Sequence, residues 1–379
     1  MKTYQLFKVH IPKNTHKLVK KVFDSGFINE GVEVTELTNA IQARFQTNRV
    51  ILTNSCTSAI TLALHLANVG SYSDVISTAM TCVATNTPII NLGAHIIWAD
   101  VDPESGMLTA ESIKEKITPV TKAVIVVAWG GIPPELEEIQ KLCKKLRISL
   151  ILDAAHAFDA TYQNQPIHNF ADFTCYSFQA IKHFTTGDGG ALVCAHENDY
   201  VKSKALKWFG LDRDKAKDDK GNWKGQQWDV DIEEAGYKFN MNNVSAAIGL
   251  AQLSYIDKNI SKHRKNAALY DRLLKKIPGI THSKRPLNSH PSFWVYTVIL
   301  DPDTIQINRD SLLKLLNDRG VHAGVVHVPN DEYTAFKEFK SDLPGVREFS
   351  KNQFSLPCGW WLSKNDIENI VSVLTDLIK

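Results

Sequence analysis

An α/β fold with a largely parallel sheet and helices on both of its faces is what this sequence predicts, and three observations carry the prediction. Short β-branched runs alternate with segments of helical periodicity. Polar turns follow directly on the ends of two of these runs, at Thr53 and at Asp153, where ligands of parallel sheets collect. At 379 residues the chain is also too long for one compact core, so two domains are expected.

Taken in order, strand-like runs cover 49–53, 74–77, 95–99, 123–128, 149–152, 173–177 and 190–193. Helical patterns separate most of them, for example 58–67, 110–117 and 134–146. Residues 211–235 are dense in Asp, Lys, Gly and Trp and read as a long exposed excursion, a lid or an arm reaching a neighbouring subunit. A long helix is expected over 241–262, closing a large domain of residues 1–262. A smaller domain, 263–379, then shows strand-like 293–300, helical 309–319, strand-like 322–327 and a C-terminal helix from Lys364.

Composition narrows the function. A hydrophobic fraction of 44% is that of an ordinary globular protein, and the net charge of +2 comes from acids and bases mixed along the chain. Neither a nucleic-acid partner nor an anionic membrane surface fits that balance. No apolar run reaches membrane-spanning length. The six cysteines are scattered without a CxxC pair, which predicts free thiols in a reducing compartment and no structural zinc. Met1-Lys2-Thr3-Tyr4 lacks the apolar stretch of a secretory leader. A cytoplasmic protein without a metal centre is therefore expected.

The chemistry centres on two residues. The run 149–152 ends on Asp153, within Asp153-Ala154-Ala155-His156, and about thirty residues later Lys182 stands in a Ser/Thr/Gly-rich turn from Ser177 to Gly190. An aldehyde cofactor such as pyridoxal phosphate requires this arrangement: a lysine nitrogen for the aldehyde, and a carboxylate that keeps a proton on the pyridine nitrogen. Taken singly, a strand-end Asp is more often a cap, His156 a satisfied helix-face histidine and Lys182 a solvated amine. The tight turn of Thr185, Thr186 and the glycines at 187, 189 and 190 argues for a lysine held in place. Thr53-Asn54-Ser55-Cys56-Thr57-Ser58 leads from a strand into an apolar helix. By itself it is a plain cap, and beside Asp153 and Lys182 it becomes a phosphate site at Thr57 and Ser58. His327, before Pro329-Asn330-Asp331, is a substrate-contact candidate. His322, five positions away on the same expected strand, faces the other side, which argues against a shared metal ion.

Over nearly its whole length the chain resembles the DegT/DnrJ/EryC1/StrS sugar-nucleotide aminotransferases, within the aspartate aminotransferase-like fold-type I enzymes. Ser25-Gly26-Phe27-Ile28-Asn29-Glu30-Gly31 resembles the family's SGxxxxG element, and Ser55-Cys56-Thr57-Ser58-Ala59 its SGTxA turn. The Asp153–His156 and Ser177–Lys182 blocks are the most specific, and Gly236-Tyr237-Lys238-Phe239-Asn240-Met241 resembles its GYKYNM segment. The resemblance implies a large α/β/α domain with a smaller C-terminal α+β domain. It implies Lys182 as Schiff-base lysine and proton shuttle, Asp153 on the pyridinium nitrogen and His156 by the cofactor hydroxyl. Thr57, Ser58 and Ser177 would hold the phosphate, with Asn240 of a homodimer partner. Three positions depart from the pattern: Cys82 takes the often aromatic cofactor-stacking place, Gln179 replaces the SFHxxK histidine, and only His327 survives of the HxPLH pattern. The implied reaction is amination of a nucleotide-linked 4-keto-6-deoxyhexose with glutamate as donor. Amination at C3, a sugar dehydratase, or a cofactor-binding regulatory module without turnover are the alternatives; dehydratase relatives replace the lysine with histidine.

Overall fold

The chain, described here from a computed structural model over residues 2–212, 225 and 231–378, is built on a seven-stranded mixed sheet. Its strands are β1 (Val50–Thr53), β2 (Asp74–Ser77), β3 (His95–Trp98), β4 (Thr121–Val127), β5 (Ser149–Asp153), β6 (Phe173–Ser177) and β7 (Gly190–Cys194), in the spatial order β1-β7-β6-β5-β4-β2-β3. From β6 through β3 every pairing is parallel, whereas β7 runs antiparallel to both β1 and β6. The sequence runs anticipated all seven strands to within two residues at either end. Their side chains are almost wholly buried, as in Ala123–Val126 and Leu150–Leu152, so both faces of the sheet are covered. Each such Val, Ile or Leu contributes about 1.5–3 kcal/mol of burial.

Register is what builds a site. Val127 of β4 pairs with Asp153 of β5, and Cys175 of β6 also pairs with Asp153. Ser177 and Thr53 both pair with Gly190. The carboxyl ends of β1, β4, β5 and β6 therefore lie in one row, and the polar turns after them open on one edge of the sheet.

A second core surrounds a three-stranded antiparallel sheet of β8 (Ile280–His282), β9 (Tyr296–Leu300) and β10 (Gln353–Leu356), which also takes in Tyr4. Phe336, Leu343, Val346 and Phe349 cross back into the larger core. We propose the division at 262/263 as the boundary between the two units; it falls within a helix of Ile256–Leu274.

Three expectations change, and a fourth is left aside. The helix expected over 241–262 is two helices, Asn243–Gln252 and Ile256–Leu274. They part where the Gln252 side chain donates to His10 O at 2.8 Å and the Tyr255 ring packs on His10. The strand expected over 322–327 does not form. Val321 bridges only Tyr4 and Gly324 only Ser355, and the chain is then drawn toward the large sheet by Asn330, whose N–H donates to Ala79 O and whose amide donates to Thr81 O, each at 2.8 Å. The strand expected from 293 begins instead at Tyr296, because Phe293 adopts φ 53°, which extended pairing does not permit. The excursion of 211–235 falls mostly on 213–224 and 226–230, outside the described residues. No described helix is long and apolar enough to cross a membrane.

The close approach of the two units rests on Gly131. At its φ of 94° an added Cβ would stand 2.7 Å from Phe293 N and 2.8 Å from His156 O. Gly131→Ala is expected to lower stability by more than about 1 kcal/mol, read as an earlier midpoint of urea unfolding.

Candidate active site

The row of strand ends opens into a cavity of about 320 Å³ lined by Thr57, Cys82, Asp153, His156, Ser177, Gln179, Lys182 and His327. Residues from five separate stretches of sequence thus meet in one place. Ser58 and Asn240 are the two expected residues that do not line it. The Ser58 hydroxyl donates to Asn54 Oδ1 at 2.7 Å, and Asn240 accepts from Lys238 Nζ at 2.5 Å.

Asp153 ends β5 and is buried. Its Oδ2 accepts from Thr85 Oγ1 at 2.7 Å, its Oδ1 from Ala155 N–H at 3.0 Å, and Thr85 is itself held by Thr81 at 2.9 Å. Burial raises the pKa of this carboxyl, opposed by those two hydrogen bonds and by Lys182. A cationic group entering the cavity would restore its ionised form, as a pyridinium nitrogen does.

Lys182 sits in a turn fixed by its backbone. Lys182 N–H donates to Gln179 O at 2.9 Å, and Thr186 N–H and Thr185 Oγ1 donate to Phe178 O at 2.9 and 3.1 Å. Ser177 Oγ accepts from Gln179 N–H at 3.3 Å, while Gln179 Oε1 accepts from Ile181 N–H at 3.0 Å. The lysine reaches the cavity, yet protein surrounds its amine closely enough for burial to lower its pKa to about 8, against the pull of Asp153, Cys82 and Cys56. An amine near 8 is partly free at neutral pH, as attack on an aldehyde demands.

One end of the cavity is a helix N-terminus. Ser55 caps the helix Cys56–Leu66, accepting from Ser58 N–H at 3.0 Å, and Ser55, Cys56 and Thr57 line the cavity together with Ser177, a place where the helix N-terminus would favour an anion. Gly190 lets β7 pass beneath this turn, since a Cβ there would stand 2.6 Å from Cys56 N.

His156 is buried, and its Nδ1 has no hydrogen-bond partner among the described residues. Its Nε2 lies 3.4 Å from His327 Nε2, and the two rings stack at 5.3 Å. Burial first, then the neighbouring Lys182, push His156 well below the usual histidine range and His327 down to about 3. Both are neutral imidazoles. A buried, unpartnered ring nitrogen, a carboxylate, a lysine amine and a helix N-terminus in one cavity are the donor set that pyridoxal phosphate needs for its phenolic oxygen, ring nitrogen, aldehyde and phosphate. The residues fit the group.

Three residues around this cavity escaped sequence reading. Thr85 orients Asp153 from the helix Val83–Asn91, and Phe7 lines the cavity from near the N-terminus and Trp294 from the smaller unit. An aromatic in a strand-like run gives no sign of where its ring will lie.

Comparison with known proteins places these features. The model of the DegT/DnrJ/EryC1/StrS aminotransferase family matches residues 9–375. The structure of AtS13 from Actinomadura melliaura superposes with a TM-score of 0.91 at 33% identity, over 99% of each chain. The sugar aminotransferase CalS13 from Micromonospora echinospora gives 0.90 at 31% identity, over 98% of this chain and 99% of that one. The spore coat polysaccharide biosynthesis protein SpsC of Bacillus subtilis strain 168 is 28% identical over 374 residues, 97% of this chain and 95% of its own.

The depressed Lys182 pKa has a direct consequence. Acylation of Lys182 in cofactor-free protein is expected to rise roughly tenfold per pH unit below a midpoint near 8 and to level off above it, because only the free amine reacts. Peptide mass spectrometry reads this, and a midpoint near the ordinary value of 10.5 would contradict the burial argument.

Proposed function

The chain belongs to the DegT/DnrJ/EryC1/StrS aminotransferase family, whose enzymes depend on pyridoxal phosphate, and from that premise we propose that it aminates C4 of a nucleotide-linked 4-keto-6-deoxyhexose with glutamate as donor. The observation that carries the reading is the meeting of Lys182, Asp153 and the helix N-terminus at Thr57 in one cavity. The sugar class is supported by CalS13, a sugar aminotransferase 31% identical to this chain. Position C4 is supported by the resemblance of 236–241 to the GYKYNM segment.

Bound pyridoxal phosphate supplies an aldehyde carbon and a ring that accepts the electrons released when a Cα–H bond breaks. Asp153, oriented by Thr85, keeps a proton on the ring nitrogen and so maintains the ring's pull. The Nδ1 of neutral His156 would be paired with the phenolic oxygen. Thr57, Ser58 and Ser177, with the helix N-terminus, hold the phosphate, Ser58 by shaping the cap and the other two from the cavity wall. Lys182 Nζ would hold the cofactor at rest and release it when the donor amine enters. It would then shuttle a proton between the donor Cα and C4′, and with the ketosugar between C4′ and sugar C4. Cys82, in the often aromatic stacking place, would lie against the cofactor ring, and Gln179 and His327, at the cavity wall, would contact the sugar.

The protein acts as a homodimer. Phe23, Phe27, Ile28 and Val32 are exposed on neighbouring parts of the chain, a surface unlike that of a monomer. Asn240, which does not line its own chain's cavity, serves the partner's phosphate. Phe27→Glu is expected to halve the mass seen by sedimentation and to weaken cofactor retention with it.

Glutamate added to the yellow holoprotein is expected to bleach it, and one member of a panel of nucleotide 4-keto-6-deoxysugars to restore the colour. Lys182→Ala should abolish turnover. Substantial residual transamination in that variant, or a protein left colourless after incubation with the cofactor, would overturn the assignment.

A further inference from the structure

Trp294 sits where no part of the reaction described so far uses it. Its ring centroid lies 3.6 Å from Lys182 Nζ, and its Nε1–H donates to Ile181 O at 2.9 Å, so the indole is fixed to the same turn that carries the lysine. His156 stacks on it at 4.0 Å and Phe7 at 4.8 Å, and only 3% of the residue is exposed.

The segment that delivers this ring is held at every step. Arg264 Nε donates to Pro291 O at 2.9 Å, Ser292 N–H donates to Gly131 O at 3.0 Å and Ser292 Oγ to His156 O at 3.3 Å. The buried His183 reaches Ser292 O at 3.1 Å through Nε2, and His263 reaches Phe293 O at 2.7 Å through Nδ1. Burial keeps both imidazoles below the usual histidine range, so each is the neutral donor these carbonyls need. Phe293 accepts a left-handed φ of 53° in the process, a strained conformation for a bulky residue. That much anchoring, spent on one indole, fixes the ring against the amine.

Resting on the assignment of Lys182 as the cofactor lysine, we propose that Trp294 is a positioning residue: its ring face is the resting place of the Lys182 ammonium whenever the amine is not bonded to the cofactor. A transaminase lysine must leave the cofactor, stay within reach of the reacting carbon and keep a proton to return. A ring face attracts the ammonium over the free amine, and in a water-poor cavity that preference is near the upper end of cation–π strength. Trp294 therefore opposes the burial that depresses Lys182. The charged and titratable groups around the amine are Asp153, Cys82 and Cys56, which favour its protonated form, and His156, His183 and His327, which the amine and burial together hold in their neutral form. All of them stay in place when only the ring's electrons are altered.

The test replaces Trp294 alone with mono-, di- and trifluorinated tryptophan, which keep its shape and N–H while weakening the negative ring face. In cofactor-free protein the midpoint for Lys182 acylation is expected to fall stepwise with fluorine number, by roughly half a unit to 1.5 units in total. In the holoenzyme kcat should fall while KM for glutamate holds. Trp294→Leu should show the full drop, and Trp294→Phe part of it. A midpoint unchanged across the fluorinated series overturns the proposal. Loss of the yellow colour in the unsubstituted protein sinks instead the assignment of Lys182, and the acylation series still reads the ring–amine contact.

Discussion

Everything at the active site depends on the register between β4, β5, β6, β7 and β1. Asp153 pairs with Val127 on one side and Cys175 on the other, and Gly190 pairs with both Ser177 and Thr53. A one-residue slip would turn Asp153 to the opposite face of the sheet. Burial on both faces prevents that slip, since every strand residue that fills the core would have to move with it.

Within this frame the cavity works by opposed electrostatics. Burial pushes Asp153 toward its neutral form and Lys182 toward its free amine, and each partly restores the other. The neutral histidines 156 and 327 add polarity without charge. A cofactor with a cationic ring nitrogen and an anionic phosphate would complete the arrangement, the positive end of the helix dipole favouring the phosphate. The smaller unit closes the cavity through two loops. Asn330 ties the loop of His327 to Ala79 and Thr81, and it is joined to Asn86 at 2.8 Å, while buried Asp331 pairs with Arg347. The loop of Trp294 is tied to Gly131, His183 and His263. A change in either unit is therefore felt at the lysine.

Much of this was legible in the chain. The strands, the lysine turn, the strand-end aspartate and the cap of the phosphate helix are local features, each written in a few consecutive residues by β-branching, glycine and capping chemistry. The irregular parts were not legible. The segment 322–327 has strand composition but finds only single bridges, because the buried amide of Asn330 pulls it toward the large sheet. The helix over 241–262 breaks where Gln252 finds a carbonyl at His10, more than two hundred residues away in sequence.

The sequence alone determined the fold class, the lysine and its carboxylate, and the capped turn after Thr53, because those depend on local pattern and on spacing along adjacent strands. Tertiary structure decided which side chains share the cavity. It brought Thr85 to Asp153, His327 to His156 and Trp294 to Lys182, and it left Ser58 in the cap and Asn240 off the cavity wall. Contacts of that kind join residues about seventy to more than a hundred and seventy positions apart, and only the packing of two hydrophobic cores against each other sets them.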